Sequence, residues 1–158
     1  MTGRLVSINL SNGGMPKRPV PECRVTESGL EGDRQRDLHF HGGPNRAVCL
    51  YPLERIEALQ REGHPIAPGT IGENLTIEGL DWSLMAPDAM LEVGEVVLQL
   101  KKFAPPCANI AGSFRDGDFS RVAQKIHPGW SRICASVVKT GIVRVGDAIH
   151  LQDQNRRP

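Results

Sequence analysis

Little of this 158-residue sequence is aromatic: Phe, Trp and Tyr together make up 4% of it. That scarcity disfavours the stacking platforms on which single-strand nucleic-acid binders lay their bases. Charge of one sign is missing too. With 19 Lys and Arg against 18 Asp and Glu, the formal net charge is +1, so no general electrostatic case exists for nucleic acid or a membrane surface. No apolar run is long enough to span a bilayer, and the amino terminus MTGRLVSINLSNGG has no signal-peptide core, so a cytoplasmic protein is expected. The four cysteines, Cys23, Cys49, Cys107 and Cys134, form no CxxC pair, which argues against a zinc ribbon or a thioredoxin-type motif. In a reducing cytosol all four are expected to be free thiols.

What is present is one domain's worth of chain, able to bury about 70% of its extended-chain surface without staples. Seventeen glycines and 12 prolines punctuate it. Residues 4–10, RLVSINL, read as a strand; a second short strand lies near Cys23–Thr26, and RAVCLY (46–51) is a compact, buried β-type run. PLERIEALQREG predicts a helix, with Pro52 in its first turn, Leu53, Ile56 and Leu59 on one face, and Gly63 ending it. IGENLTIEG predicts a strand near 72–77. LEVGEVVLQL (91–100) and VRVGDAIHLQ (143–152) each run strand, Gly-acid, strand, which favours bulges or sharp bends in a curved sheet. Between them, DGDFSRVAQKIH predicts a helix capped by Asp116 or Asp118, with Phe119, Val122 and Ile126 inward. Trp130 to Leu151 reads as a hairpin around Lys139–Gly141, and the end of the chain reads as a frayed tail. The sum is a mainly β domain, closed or strongly bent, with a few short helices.

Two stretches carry chemistry. Residues 32–46, GDRQRDLHFHGGPNR, hold three arginines, two aspartates, two histidines and three glycines. Arg34, Arg36 and Arg46 have the paired donors that grip phosphate or carboxylate, and Gly42 and Gly43 let a backbone approach a ligand closely. His39 and His41 could point the same way in extended chain, but two histidines fall short of a metal's usual three or four ligands. The competing reading is a solvated loop whose charges pair with each other. The second stretch is KKFAPPCANI, residues 101–110. Two prolines stiffen the backbone ahead of Cys107, and a helical turn starting at Ala108 would put the thiol where the helix dipole favours thiolate. Lys101 and Lys102 could add positive potential. Against this stands a plain structural thiol; Cys49 and Cys134 read as small buried hydrophobes, and Cys23 is undecided.

Gly32-Asp33…Asp37…His41-Gly42-Gly43…Ala47-Val48…Tyr51, then Gly72-Glu73-Asn74-Leu75, Pro106-Cys107, Gly129-Trp130 and Gly146-Asp147 together resemble the MOSC domain, named for the carboxyl-terminal part of molybdenum-cofactor sulfurases. The resemblance runs from about residue 3 to residue 151, leaving 152–158 as the tail. It implies a β-barrel-like fold, binding of a molybdenum–molybdopterin cofactor, and an essential cysteine at Cys107 that carries sulfane sulfur or ligates molybdenum. Molybdopterin bears a dithiolene and a phosphate. Arg34, Arg36 and Arg46 are then candidates for the phosphate clamp, Gly42 and Gly43 for close contact, and Asp37, His41 and Asn74 for orientation. Asp33 and Asp147 would brace turns, and Trp130 would wall the site or sit in the core. At 158 residues there is no room for a pyridoxal-phosphate desulfurase domain, so sulfur is expected from a separate cysteine desulfurase, and electrons for any reductase from a redox partner protein. Three functions follow: a sulfur carrier or sulfurtransferase, a small molybdoenzyme reducing N-hydroxylated compounds, or a non-catalytic cofactor carrier.

Overall fold

A computed structural model of the chain describes residues 2–11, 16–33 and 44–152. Its strands are β1 (Thr2–Leu10), β2 (Arg18–Val20), β3 (Glu22–Thr26), β4 (Gly29–Leu30), β5 (Val48–Pro52), β6 (Leu75–Glu78), β7 (Met90–Val93), β8 (Val96–Phe103), β9 (Ile133–Lys139), β10 (Gly141–Arg144) and β11 (Ala148–Leu151). One α-helix, α1 (Leu53–Arg61), lies among the described residues. The strand order β11-β7-β8-β9-β5-β6-β1 returns to β11 through a β1–β11 pairing, so seven strands close into a barrel, and β2 adds to the far end of β1. Closure removes the barrel's own edges, the parts of a sheet that invite stray pairing. A separate three-stranded sheet runs β10-β3-β4.

Each closure has a cause in the residues. Leu5 and Ile8 of β1 are fully buried although three positions apart, because a bulge between Leu5 and Ser7 resets the alternation. Leu50 of β5 stands opposite Leu75 on one side and Ile133 on the other, joining β6, β5 and β9 across the core. The β5–β6 pairing is parallel, so the chain needs a crossover, and α1 supplies it with Ile56 and Leu59 turned into the core. Pro52 stands at the helix's N-cap rather than inside its first turn, and Gly63, at φ +97°, follows the helix end.

Other expectations are corrected. Of the two alternatives at Gly94, the sharp bend holds and the bulge does not: with φ +54° it opens the two-residue turn joining β7 to β8, and the bulges fall inside β8 instead, at Val97/Leu98 and Leu100/Lys102. Lys139–Gly141 is not a hairpin, because β9 pairs with β8 and β5 while β10 turns away onto β3. DGDFSRVAQKIH forms short 3₁₀ turns, not an α-helix. Asp116 and Gly117 sit at left-handed φ (+61° and +69°) and interrupt the run, leaving Asp118 to cap Phe119–Val122 and Ile126 60% exposed. At the chain's end, Gln152 is tied by its N–H to the Met90 carbonyl and by its amide to Glu92; the rest of the tail, 153–158, lies outside the described residues.

Candidate functional site

Cys107 follows the exit of β8. Phe103 stands opposite Ile133, and the ladder ends with the Ala104 N–H donating to the Arg132 carbonyl at 3.0 Å. Pro105 and Pro106 carry the chain on to Cys107, which is extended (φ −140°, ψ 175°) and caps a 3₁₀ turn over Ala108–Ser113. Its carbonyl accepts from Ile110 N, and buried Ile110 nails the turn to the core. The thiol is free and half-buried, as the sequence pattern predicts for a presented rather than a core cysteine. A cleft of about 260 Å³ opens beside the same turn, lined by Pro16, Pro65, Thr70, Asn109, Gly112 and Ser113.

The basic side chain that the structure ties to the Cys107 turn by a hydrogen bond is Arg132. Lys102 is exposed and Lys101 half-buried on β8, and among the described residues no hydrogen bond or ion pair joins either to the thiol. Arg132 is only 8% exposed; its guanidinium donates from Nη1 to the Ile71 carbonyl at 2.7 Å and from Nη2 to the Pro105 carbonyl at 3.2 Å, while Nε has no partner among the described residues. Burial pulls its pKa down, and the nearby Glu73 and Cys107 oppose that pull. Glu73 is fully buried just before β6. Thr76 Oγ1 donates to its Oε2 at 3.0 Å, and Oε1 has no partner among the described residues. Burial pushes its pKa up to about 7, against the stabilising bonds from the Gly69 and Glu73 backbone. Neither residue was singled out by sequence reasoning as a site residue. Both sit beside motif or strand positions, in SRICASVV and GENL, and nothing but burial distinguishes them from surface ions.

Asp33 and Asn74 form a second buried knot. Asp33 accepts from the Ser11 N–H at 2.8 Å, from both approaches of Lys17 Nζ at 2.9 and 3.1 Å, and from Asn74 Nδ2 at 2.9 Å. Asn74 Oδ1 takes the Cys49 N–H at 2.9 Å, and the Asn74 N–H donates to the Cys49 carbonyl. Asp33 therefore does more than brace a turn: it joins the residue after β1, the segment before β2 and the segment before β6. Burial lowers the Lys17 pKa and the facing Asp33 raises it, with burial the larger cause. Arg46 ends a 3₁₀ turn, Pro44–Arg46, packed over β9 and β8, and its charge acts on Arg132. The predicted Arg34, Arg36, Asp37, His41, Gly42 and Gly43 lie outside the described residues, as does His39. Of the expected set the structure places Arg46 where its charge acts on Arg132, and turns the Asn74 amide toward Asp33 and Cys49.

Cys49 and Cys134 are not free thiols. The antiparallel β5–β9 register sets them directly opposite, 4.1 Å apart at Cα, and they form a disulfide; a sequence separation of 85 hides that pairing from the sequence. Cys134 is 1% exposed and keeps its expected place in the core, while Cys23 is buried with its thiol pKa raised by desolvation. Trp130 is partly buried and held between two guanidinium groups, Arg55 at 4.3 Å and Arg121 at 4.1 Å from the ring centre. Its carbonyl accepts from Tyr51 Oη at 2.7 Å, so it braces the packing between α1 and the Phe119–Val122 turn.

A closed barrel with a presented thiol at a strand exit and buried basic charge beside it defines a class of small thiol-bearing β-barrel domains. The family model for the MOSC domain matches residues 37–150, and the chain belongs to that family, one associated with molybdenum-cofactor proteins. It is similar to the uncharacterized protein YflK of Bacillus subtilis (31% identity over 149 residues, covering 91% of this chain and 65% of YflK). It is also similar to the protein YiiM of Escherichia coli (35% over 115 residues, 69% of this chain and 51% of YiiM). The chain thus spans between half and two-thirds of the length of these curated relatives. Among solved structures, E. coli YiiM superposes with a TM-score of 0.68 at 29% identity (96% of this chain, 70% of that one). Geobacillus stearothermophilus YiiM superposes with a TM-score of 0.74 at 23% identity (98% and 77%), a likeness of fold. No helix among the described residues is long and apolar enough to cross a membrane.

Proposed function

We propose that this domain carries sulfur: Cys107 accepts sulfane sulfur as a persulfide from a separate cysteine desulfurase and delivers it to a metal–sulfur centre of the molybdenum-cofactor class. The observation that carries the reading is a half-buried free thiol two residues after Pro105, whose carbonyl binds a buried guanidinium bonded to neutral carbonyls, which leaves positive potential for anionic sulfur. Sulfur transfer balances: the Cys107 thiolate attacks the donor's sulfane sulfur and the donor cysteine leaves as thiolate. An acceptor nucleophile then attacks the outer persulfide sulfur and Cys107 leaves as thiolate, while fixing that sulfur as sulfide on a metal centre takes two electrons from a redox partner protein.

The site's donor chemistry suits such a cofactor better than a bare metal. Among the described residues no group of three or more His, Cys, Asp or Glu could hold a metal ion. A molybdenum already chelated by a pterin dithiolene asks of the protein one soft thiolate and basic groups, which Cys107, Arg46 and Arg132 offer. When bound, it would supply two-electron redox chemistry, fed by a redox partner protein. In this reading Arg34, Arg36 and Arg46 grip the phosphate, Gly42 and Gly43 allow close contact, and Asp37, His41 and Asn74 orient the pterin.

The test combines a sulfur assay with metal analysis. Protein from a molybdenum-replete host is incubated with a desulfurase and free cysteine, then mapped by mass spectrometry. One added sulfur on Cys107, labile to cyanide and absent from a folded Cys107→Ser variant, is the expected result. Added sulfur elsewhere with Cys107→Ser fully active sinks it. Stoichiometric molybdenum with donor-dependent reduction of N-hydroxylated compounds transfers the assignment to a small molybdoenzyme. Pterin binding indifferent to the thiol makes the domain a carrier of cofactor rather than of sulfur.

A further inference from the structure

A guanidinium taken out of water costs several kcal/mol unless counter-charge lies near it. Arg132 is such a group, and its two guanidinium bonds go to backbone carbonyls of Ile71 and Pro105. The negative or ionisable groups that act on it are Glu73 before β6, Cys107 at the 3₁₀ turn and Tyr51 on β5, with Arg46 adding repulsion. Glu73 is itself attractive to Lys17, which pairs with Asp33 at 2.9 Å. Arg132 is therefore bonded to the chain two residues before a buried carboxyl group and two residues before a thiol. Its place is set twice over: its carbonyl receives Ala104 N–H, and its side chain holds Pro105, two residues before Cys107. Fixed charge of this kind acts without reorganisation at the moment of reaction.

The geometry points to Arg132 as the positioning residue that holds anionic sulfur at Cys107, with buried Glu73 as the opposing charge that limits its field. The inference rests on the sulfur reading of Cys107 and names what that site selects: ligands whose reacting sulfur is negative, over neutral ones of the same shape.

The experiment reads the potential directly. Cys107 is alkylated with iodoacetate, an anion, and with iodoacetamide, its neutral analogue, at low salt and a pH above the value of about 7 at which Glu73 ionises. The ratio of the two rates cancels changes in exposure and in thiolate fraction, which a merely structural role would move. Arg132→Gln should lower the ratio at least about threefold, Arg132→Lys should keep most of it, and Glu73→Gln should raise it. An unchanged ratio in Arg132→Gln, with both rates falling together, overturns the proposal. So does an unchanged or lower ratio in Glu73→Gln, which leaves the bonds to Ile71 and Pro105 intact and decides the matter even where Arg132→Gln does not fold. Sulfur loading on the unaltered protein is measured separately: failure to load removes the carrier reading, while the ratio still decides on Arg132.

Discussion

Chemistry at the residue scale was legible where a rare residue type met a stiff backbone. Cys107 stood out because Pro105 and Pro106 precede it, and the structure presents it at the head of a 3₁₀ turn. Arg132 and Glu73 did not stand out, because an arginine or glutamate looks the same in sequence whether solvated or buried. Glu73 is fully buried, and its carboxyl pKa of about 7 lies above the ordinary value of about 4.3. The folded state therefore holds that proton more tightly than the unfolded chain does. This contribution to stability is fully present below about pH 4.3, falls as pH rises through about 7, and is flat beyond. Glu73→Gln should abolish it. The gap in unfolding free energy between variant and parent, from denaturant curves at several pH values, should grow in the variant's favour between pH 4.5 and 7.5, by on the order of 3 kcal/mol. A gap that does not change with pH would mean Glu73 titrates normally.

Among the elements, apolar periodicity found β1, β5, β6 and α1, because those segments bury one face and show it. It failed between Asp116 and Ile126, where left-handed backbone at Asp116 and Gly117 breaks a pattern whose spacing alone reads as helical. It failed again at β9 and β10, since β9 pairs with β5 and β8 and β10 with β3, and partners distant in sequence leave no trace in spacing. Asn74 shows how such elements are joined. It was expected to orient a ligand, and its amide also ties Asp33 to the Cys49 N–H, linking the segment before β6 to β5 and to the root of the arginine-rich loop. Asn74→Ala leaves a buried N–H and a carboxylate oxygen each short of a partner, so it should cost about 2–4 kcal/mol of stability. Asn74→Asp retains an acceptor for Cys49 N–H but sets a second carboxylate against Asp33, and should cost more above pH 5 than below. Thermal melts of both variants at pH 4.5 and 7.5 check this. Equal losses for Asn74→Asp at the two pH values would remove the account of the Asp33–Asn74 bond.

At the scale of the whole molecule, the barrel is closed by backbone ladders, and the Cys49–Cys134 disulfide crosses it between β5 and β9. The expectation of four free thiols followed from wide spacing, yet register, which spacing does not encode, makes these two neighbours. A link across 85 residues removes much of the unfolded chain's freedom, worth about 4.5 kcal/mol on the loop-entropy account and about 2–4 kcal/mol as such bonds are usually measured. Two consequences are measurable together. Protein denatured without reductant should show two titratable thiols, Cys23 and Cys107, and four after reduction. Adding a dithiol reductant should lower the melting temperature of the parent but not of a Cys49→Ala, Cys134→Ala double variant, which should already melt low. The barrel itself should survive, because Val48, Leu50, Ile133 and Ala135 stay buried and the β5–β9 ladder does not depend on sulfur. Sulfur loading of Cys107 in the double variant then separates frame from chemistry. Loading that persists at a lower melting temperature makes the disulfide a clasp of the scaffold, whereas four thiols in the unreduced denatured protein would show that the pair is not joined at all.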